Sequence, residues 1–300
     1  MKKLTGEGTG KIILLGEHFV VHGAPAIAAG IDNKAEVEIE LAAENEIVTT
    51  QTVMPELSRA GIAAVLNAMG IKEKFKVHLT GNLPTYGGLG SSAAFCVALV
   101  HAFAAYKNLQ LNKEQVNKFA YEGEKAFHGN PSGIDNFMAT YGGVVLFKRG
   151  EGQIFKFIEP HSPLQVVVGF SGKLSPTTKM VALVAQLKKD DEDRFKQLMD
   201  EASELVYKGV NAVEKGKLEE LGELMNENQA LLSELGVSDE KNDEMVKLML
   251  AAGALGAKVT GGGGGGCCIA LARDKVAAME IERTLKKSSY DAFITVVKGK

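Results

Sequence analysis

The chain has 300 residues, with 34 Lys and Arg against 37 Asp and Glu, for a formal net charge of −3. That near-balance excludes a protein built to neutralise a nucleic-acid backbone, and 45% hydrophobic with 24% charged residues excludes disorder and collagen-like repeats. The longest apolar stretch, Ala93 to Val100, falls far short of the ~18 residues that suggest a membrane span, and the apolar run Ile12 to Leu15 is too short for a secretory leader.

In chain order, Ile12 to Leu15 reads as a short buried strand. Residues 35–41 alternate strictly, with Val37, Ile39 and Leu41 on one face, and residues 75–79 repeat the pattern. Between them, Pro55 to Met69 has helical periodicity, with proline at its start and Gly70 at its stop. Residues 91–106 form an apolar, alanine-rich helix that opens on two serines, expected as its cap. Asn112 and Gln115 match a capping box for a helix ending near His128. Strands are expected at 143–148, 154–158 and 165–170. Four helical segments then run from about 177 to 255, followed by a strand ending at Thr260, six glycines at 261–266, a strand at 267–272, a helix at 274–287 and a last strand at 291–297. The change of texture near residue 165 suggests a boundary between domains 1–164 and 165–300. Cys96, Cys267 and Cys268 form no C-x-x-C pair, which points to buried thiols in a reducing compartment, the cytoplasm.

Four segments carry chemistry. Residues 83–93, LPTYGGLGSSA, pass from a strand through glycines into a helix start, where free amides and the helix dipole favour an anion. Serine hydroxyls there can ligate a hard cation. Neither a Walker A loop nor the full context of a Rossmann fingerprint is present, since no Gly-Lys-Ser/Thr occurs and Pro84 interrupts the strand–loop junction. Residues 124–136, EKAFHGNPSGIDN, end a helix and present Asp135 on a turn, where a carboxylate can serve as a general base or simply cap the turn. Lys11 lies before a buried strand and Glu17-His18 follows it. The six-glycine run sits between two apolar strands, which suits a backbone that another group approaches closely.

Taken together, Lys11 with GEHFVVHG at 16–23, PTYGGLGSSA at 84–93, HGNPSGIDN at 128–136 and KVTGGGGGGC at 258–267 resemble, in order and spacing, the GHMP kinase superfamily. Within it they are similar to the mevalonate kinases in their compact archaeal-type form. The resemblance implies a two-domain α/β (α+β) fold with the active site in the inter-domain cleft. It implies ATP-dependent phosphorylation of the C5 hydroxyl of mevalonate, in isoprenoid biosynthesis, by a cytoplasmic homodimer that binds neither nucleic acid nor membrane. Pro84, Thr85, Tyr86, Gly87, Gly88, Leu89, Gly90, Ser91, Ser92 and Ala93 match the phosphate loop. Ser92 and Glu124 match ligands of Mg²⁺, Asp135 the catalytic aspartate, and Lys11 the lysine beside it. Glu17, His18 and Thr178 match the substrate side. Tyr86 stands where relatives have glycine, and Lys179 where arginine is common. The competing expectations are another superfamily kinase, acting on phosphomevalonate, homoserine or galactose, and a metabolite sensor without catalysis. Retention of Lys11, Ser92, Glu124 and Asp135 together disfavours the sensor.

Overall fold

The computed structural model describes residues 4–85, 87–129, 131–150, 154–173 and 177–300, with backbone alone for 177 and 178. It divides into two compact units, one of Met1–Lys11 with Gly30–Gly142 and one of Ile12–Ala29 with Gly143–Lys300. These limits differ from the 164/165 division expected from texture. Residues 144–148 pair with residues 25–29 and residues 154–158 pair in turn with 144–148, and residues 12–29 belong to the same unit as these strands.

The first unit holds most of β1 (Thr5–Leu15), the later part of β2 (Pro25–Ala42), then β3 (Glu46–Val48), α1 (Pro55–Ala68), β4 (Lys74–Gly81), α2 (Ser91–Lys107), α3 (Lys113–His128) and α4 (Ile134–Tyr141). β2 pairs antiparallel with β4, from Ala35 opposite Gly81 to Ala42 opposite Lys74, and β3 lies parallel to β4. The alternation in β2 buries Val37 and Ile39 as expected, whereas Leu41 is exposed near the strand end. Helix α2 has no polar face. Its residues from Ala93 to Val100 are all buried, because α3 and α4 pack against it and β1 presses on it from another side. Gly8 makes that last approach possible, since a Cβ there would overlap the carbonyl of Ala94. Glycine at alternate positions of TGEGTG therefore belongs to a strand that hydrophobic periodicity does not reveal.

The second unit contains the start of β2, where Pro25–Ala29 pair with β5 (Val144–Lys148), which in turn pairs with β6 (Ile154–Ile158). It also holds an antiparallel sheet in the order β10-β7-β9-β8. These strands are β7 (Leu164–Phe170), β8 (Gly256–Thr260), β9 (Cys267–Ala272) and β10 (Asp291–Val297). Helices α5 (Thr177–Asp190), α6 (Glu192–Lys215), α7 (Leu218–Glu234), α8 (Glu240–Ala251) and α9 (Lys275–Lys287) complete the unit. α7 and α8 lie on β8, and α8 and α9 lie on β9. Every residue of β8 and β9 is buried, which suits the uninterrupted apolar run of β9, whereas β8 also buries the polar side chains of Lys258 and Thr260. Met225, Met245 and Met249 are core residues, and the charged run 188–194 spans the exposed α5–α6 junction. All three cysteines are buried and unpaired, and burial raises each thiol pKa. No described helix is long and apolar enough to cross a membrane.

Candidate active site

The helix that follows the glycine loop does not begin on a serine cap. Gly90 is the N-cap of α2 at φ 70° and ψ 28°, and no side chain caps the helix. Ser91 and Ser92 occupy the first turn instead, so the helix start keeps its donor-rich end without a side-chain acceptor. Gly87, Gly88 and Gly90 all have positive φ, a conformation that costs glycine little and other residues more. Leu89 is fully buried and anchors the loop by its side chain, while its carbonyl accepts from the Lys11 amide at 2.8 Å. Pro84 and Thr85 are half-buried, and the Thr85 hydroxyl donates to the carbonyl of Thr52, so it turns into the protein. Ala93 is fully buried, and Tyr86 lies outside the described residues.

Lys11 ties this loop to the aspartate. Its Nζ donates to the carbonyl of Gly88 at 2.9 Å and lies 3.2 Å from Oδ1 of Asp135. The lysine side chain is 4% exposed and that of Asp135 30%, so the ion pair has a buried cationic half and an open anionic half. Asp135 is not on a turn as expected. It lies in the first turn of α4, after Gly133 at φ 84°, where the helix dipole favours a carboxylate. The helix is eight residues long and too short to show a clear period in sequence.

Beside this pair, Glu124 projects from α3 and is 1% exposed. Burial first, and then the charge of Asp135, push its carboxyl pKa up to about 8, against the opposing effects of Ser92 and Lys11. Oε1 of Glu124 has no hydrogen-bond partner. Ser92 Oγ is 3.2 Å from His128 Nε2, and that nitrogen is 4.0 Å from Glu124 Oε2. Burial lowers the His128 pKa, so the contact with Glu124 at neutral pH is between largely uncharged groups rather than an ion pair. The HGNPSGIDN string gives His128 no signal of its own, because its place beside Ser92 depends on α2 and α3 packing together. An unpartnered buried carboxylate oxygen beside a hydroxyl forms a hard, oxygen-only donor pair, which fits a small divalent cation. Among the described residues no group of three His, Cys, Asp or Glu side chains forms a cation site by itself, so phosphate oxygens or water would have to complete the shell.

Glu17 and His18 are held within the second unit. The Glu17 carboxylate, 1% exposed, accepts from Nζ of Lys258, which is fully buried on β8. His18 Nε2 is 3.0 Å from the carbonyl of Gly262, in the glycine run. Burial lowers the His18 pKa to about 4. Asn242 pins the same run from α8, its Nδ2 donating to the Gly265 carbonyl at 2.9 Å and its Oδ1 accepting from the Gly265 amide at 2.9 Å. The signal for Lys258 was available in sequence, as a lysine inside an apolar strand between Ala257 and Val259. Asn242 stands three residues after the N-cap Asp239 and completes its capping box, and its bonds to Gly265 arise only because α8 meets the glycine run. Thr178 lies in the first turn of α5, and its side chain is outside those described.

Family models of GHMP kinases match the chain twice, the N-terminal domain over residues 57–143 and the C-terminal domain over 210–291. The chain belongs to the GHMP kinases, and it is an ATP-dependent small-molecule kinase by class. It is similar to a protein named mevalonate kinase from Pyrococcus furiosus, at 35% identity covering 91% of this chain and 90% of the relative. A similarly named protein from Aeropyrum pernix is 33% identical over 93% and 92% of the two chains. Among solved structures, L. major mevalonate kinase in complex with R-mevalonate aligns with a TM-score of 0.91 at 33% identity, covering 100% of this chain and 97% of that one.

Proposed function

We propose that this chain transfers the γ-phosphoryl group of ATP to the C5 hydroxyl of mevalonate, giving 5-phosphomevalonate and ADP, a step of isoprenoid biosynthesis. The observation that carries the reading is the Lys11–Asp135 pair bonded directly to the glycine loop, in a chain similar over nine-tenths of its length to proteins named mevalonate kinase. Phosphoryl transfer has a loose transition state, so catalysis consists mainly of positioning and charge neutralisation. The loop from Pro84 to Ala93, with Tyr86 among its residues, takes the phosphates through backbone amides at the start of α2. The open face of Asp135 accepts the proton of the acceptor hydroxyl, and Lys11 balances charge while keeping the carboxylate in register with Gly88. Glu17, His18 and Thr178 form the acceptor side.

The cation is Mg²⁺ in this reading, held by Ser92 and Glu124. When bound it draws charge from the phosphate oxygens. Glu124 must then lose its proton, and His128 must release Ser92. Functionally, 1–164 carries the nucleotide loop and catalytic pair, and 165–300 carries the glycine run and the start of α5. The enzyme works in the cytoplasm, which three unpaired buried thiols suit, and as a homodimer, as the family resemblance implies.

The test is ADP release with Mg·ATP, measured in parallel with mevalonate, phosphomevalonate, homoserine and galactose. Turnover confined to mevalonate is expected. Turnover confined to another alcohol would keep the mechanism and replace the acceptor, and ATP binding without turnover on any of the four would favour a sensor.

A further inference from the structure

Lys258 is fully buried on a strand whose five residues are all buried. Its Nζ donates to the Glu17 carboxylate and, at 2.6 Å, to the carbonyl of Val259. A buried ion pair seldom adds stability over apolar residues of the same volume, and in some proteins it serves instead to fix a geometry. The residue after Glu17 shows what that geometry is. His18 has φ 63° and ψ −50°, and the Phe19 amide donates to the Glu17 carbonyl at 2.7 Å across it. This is a γ-turn of the rare, strained hand, centred on a side chain that is not glycine.

Such a conformation persists only where its surroundings over-determine it, and it concentrates at functional sites. Here the turn is pinned on every side. Asn228 Oδ1 accepts from the Gly16 amide at 2.8 Å, Phe19 is fully buried, and the imidazole of His18 meets Gly262. With Nε2–H given to the Gly262 carbonyl, Nδ1 of the neutral ring is left as an acceptor, the complement of a hydroxyl donor.

We infer that the Glu17–Lys258 pair is a lock that holds His18 in its strained turn, so that Glu17 and Lys258 are positioning residues acting on the acceptor alcohol through His18. The inference deepens the proposed reading and rests on it for the identity of the alcohol. Glu17, matched by resemblance to the substrate side, then acts from behind His18 rather than by touching substrate.

The experiment compares the intact wild-type chain with Glu17→Gln and with the double variant Glu17→Met, Lys258→Met, which removes both charges and leaves neither orphaned. Steady-state KM and kcat are read for mevalonate and for ATP, and the backbone ¹³C shifts of His18, which report the sign of φ, are read by NMR without substrate. Both variants are expected to raise KM for mevalonate by about tenfold to a hundredfold, as small misplacements do, while KM for ATP stays within about twofold. The double variant should keep a cooperative melt, its His18 shifts should leave the left-handed range, and its KM should match that of the single variant because the pair acts as one unit. Unchanged KM for mevalonate with unmoved His18 shifts would overturn the lock. If the wild-type chain does not turn over mevalonate, the choice of acceptor fails, while displaced His18 shifts in the double variant would still support the lock and unmoved shifts would still sink it.

Discussion

Nζ of Lys11 lies 3.2 Å from Oδ1 of Asp135 while it donates to the carbonyl of Gly88 at 2.9 Å. One cation thus joins the residue proposed to handle the acceptor proton to the loop proposed to hold the phosphates. The Lys11 amide makes a second bond to the loop at Leu89, so strand, loop and aspartate form one connected frame within the first unit.

Asp135→Asn should keep that frame, because the amide oxygen can still accept from Lys11, yet it removes the proton acceptor. We expect kcat to fall by about 10²–10⁴, the range typical of a lost general base, with ADP affinity unchanged by calorimetry. An unaltered kcat would take Asp135 out of the mechanism.

Gly90→Val addresses the loop itself. A Cβ at Gly90 would come 2.9 Å from Cγ of Lys11, and φ is 70°, where a β-branched residue is strained. The substitution should cost about 1–3 kcal/mol in urea unfolding and weaken ATP binding by displacing Lys11 and the helix start together. Normal ATP affinity in a folded variant would show that the loop does not cradle phosphate.

Glu124→Gln separates the cation role from a structural one. In the ion-free protein burial and the charge of Asp135 raise the Glu124 pKa to about 8, so at pH 7 a neutral amide replaces a mostly neutral acid. The melting temperature without metal should therefore change little, while the Mg²⁺ concentration for half-maximal turnover rises well above wild type. Coincident Mg²⁺ titrations for the two proteins would reassign the ligand.

His18 sets a pH dependence of known sign. Its pKa is lowered from 6.5 to about 4 by burial, so between those values the unfolded chain binds more protons than the folded one. Stability contributed at His18 is therefore present above about pH 6.5 and lost as pH falls toward 4, by roughly 3 kcal/mol. Urea unfolding at pH 7 and pH 4.5 should show a larger loss for wild type than for His18→Asn, whose replacement tolerates positive φ but does not titrate. Equal losses would place the acid sensitivity elsewhere.

Elements with a clear period were legible in sequence. α1, α3 with its capping box, the later part of β2, β4 and the alternation of helix and strand after residue 164 fall within a few residues of expectation. β1 before Ile12 and β2 before Ala35 were not, because glycine and alanine at tightly packed positions leave no polar–apolar alternation to read. α4 was hidden by its length. α2 starts on Gly90 rather than on the expected serine, because a serine at a helix start signals a cap only if the residue ahead of it is not itself the cap.

By itself the sequence determined which groups the chain offers to the proposed phosphoryl transfer, since the glycine loop, Lys11, Ser92, Glu124 and Asp135 are legible in local strings. Only the tertiary structure decided what each group is paired with. That Lys11 serves Gly88 and Asp135 together, that Glu124 is buried with an unpartnered oxygen, and that Glu17 is held by Lys258 all join residues far apart in the chain. Charge state and orientation follow from burial and from such partners, and neither quantity exists until the chain has closed on itself.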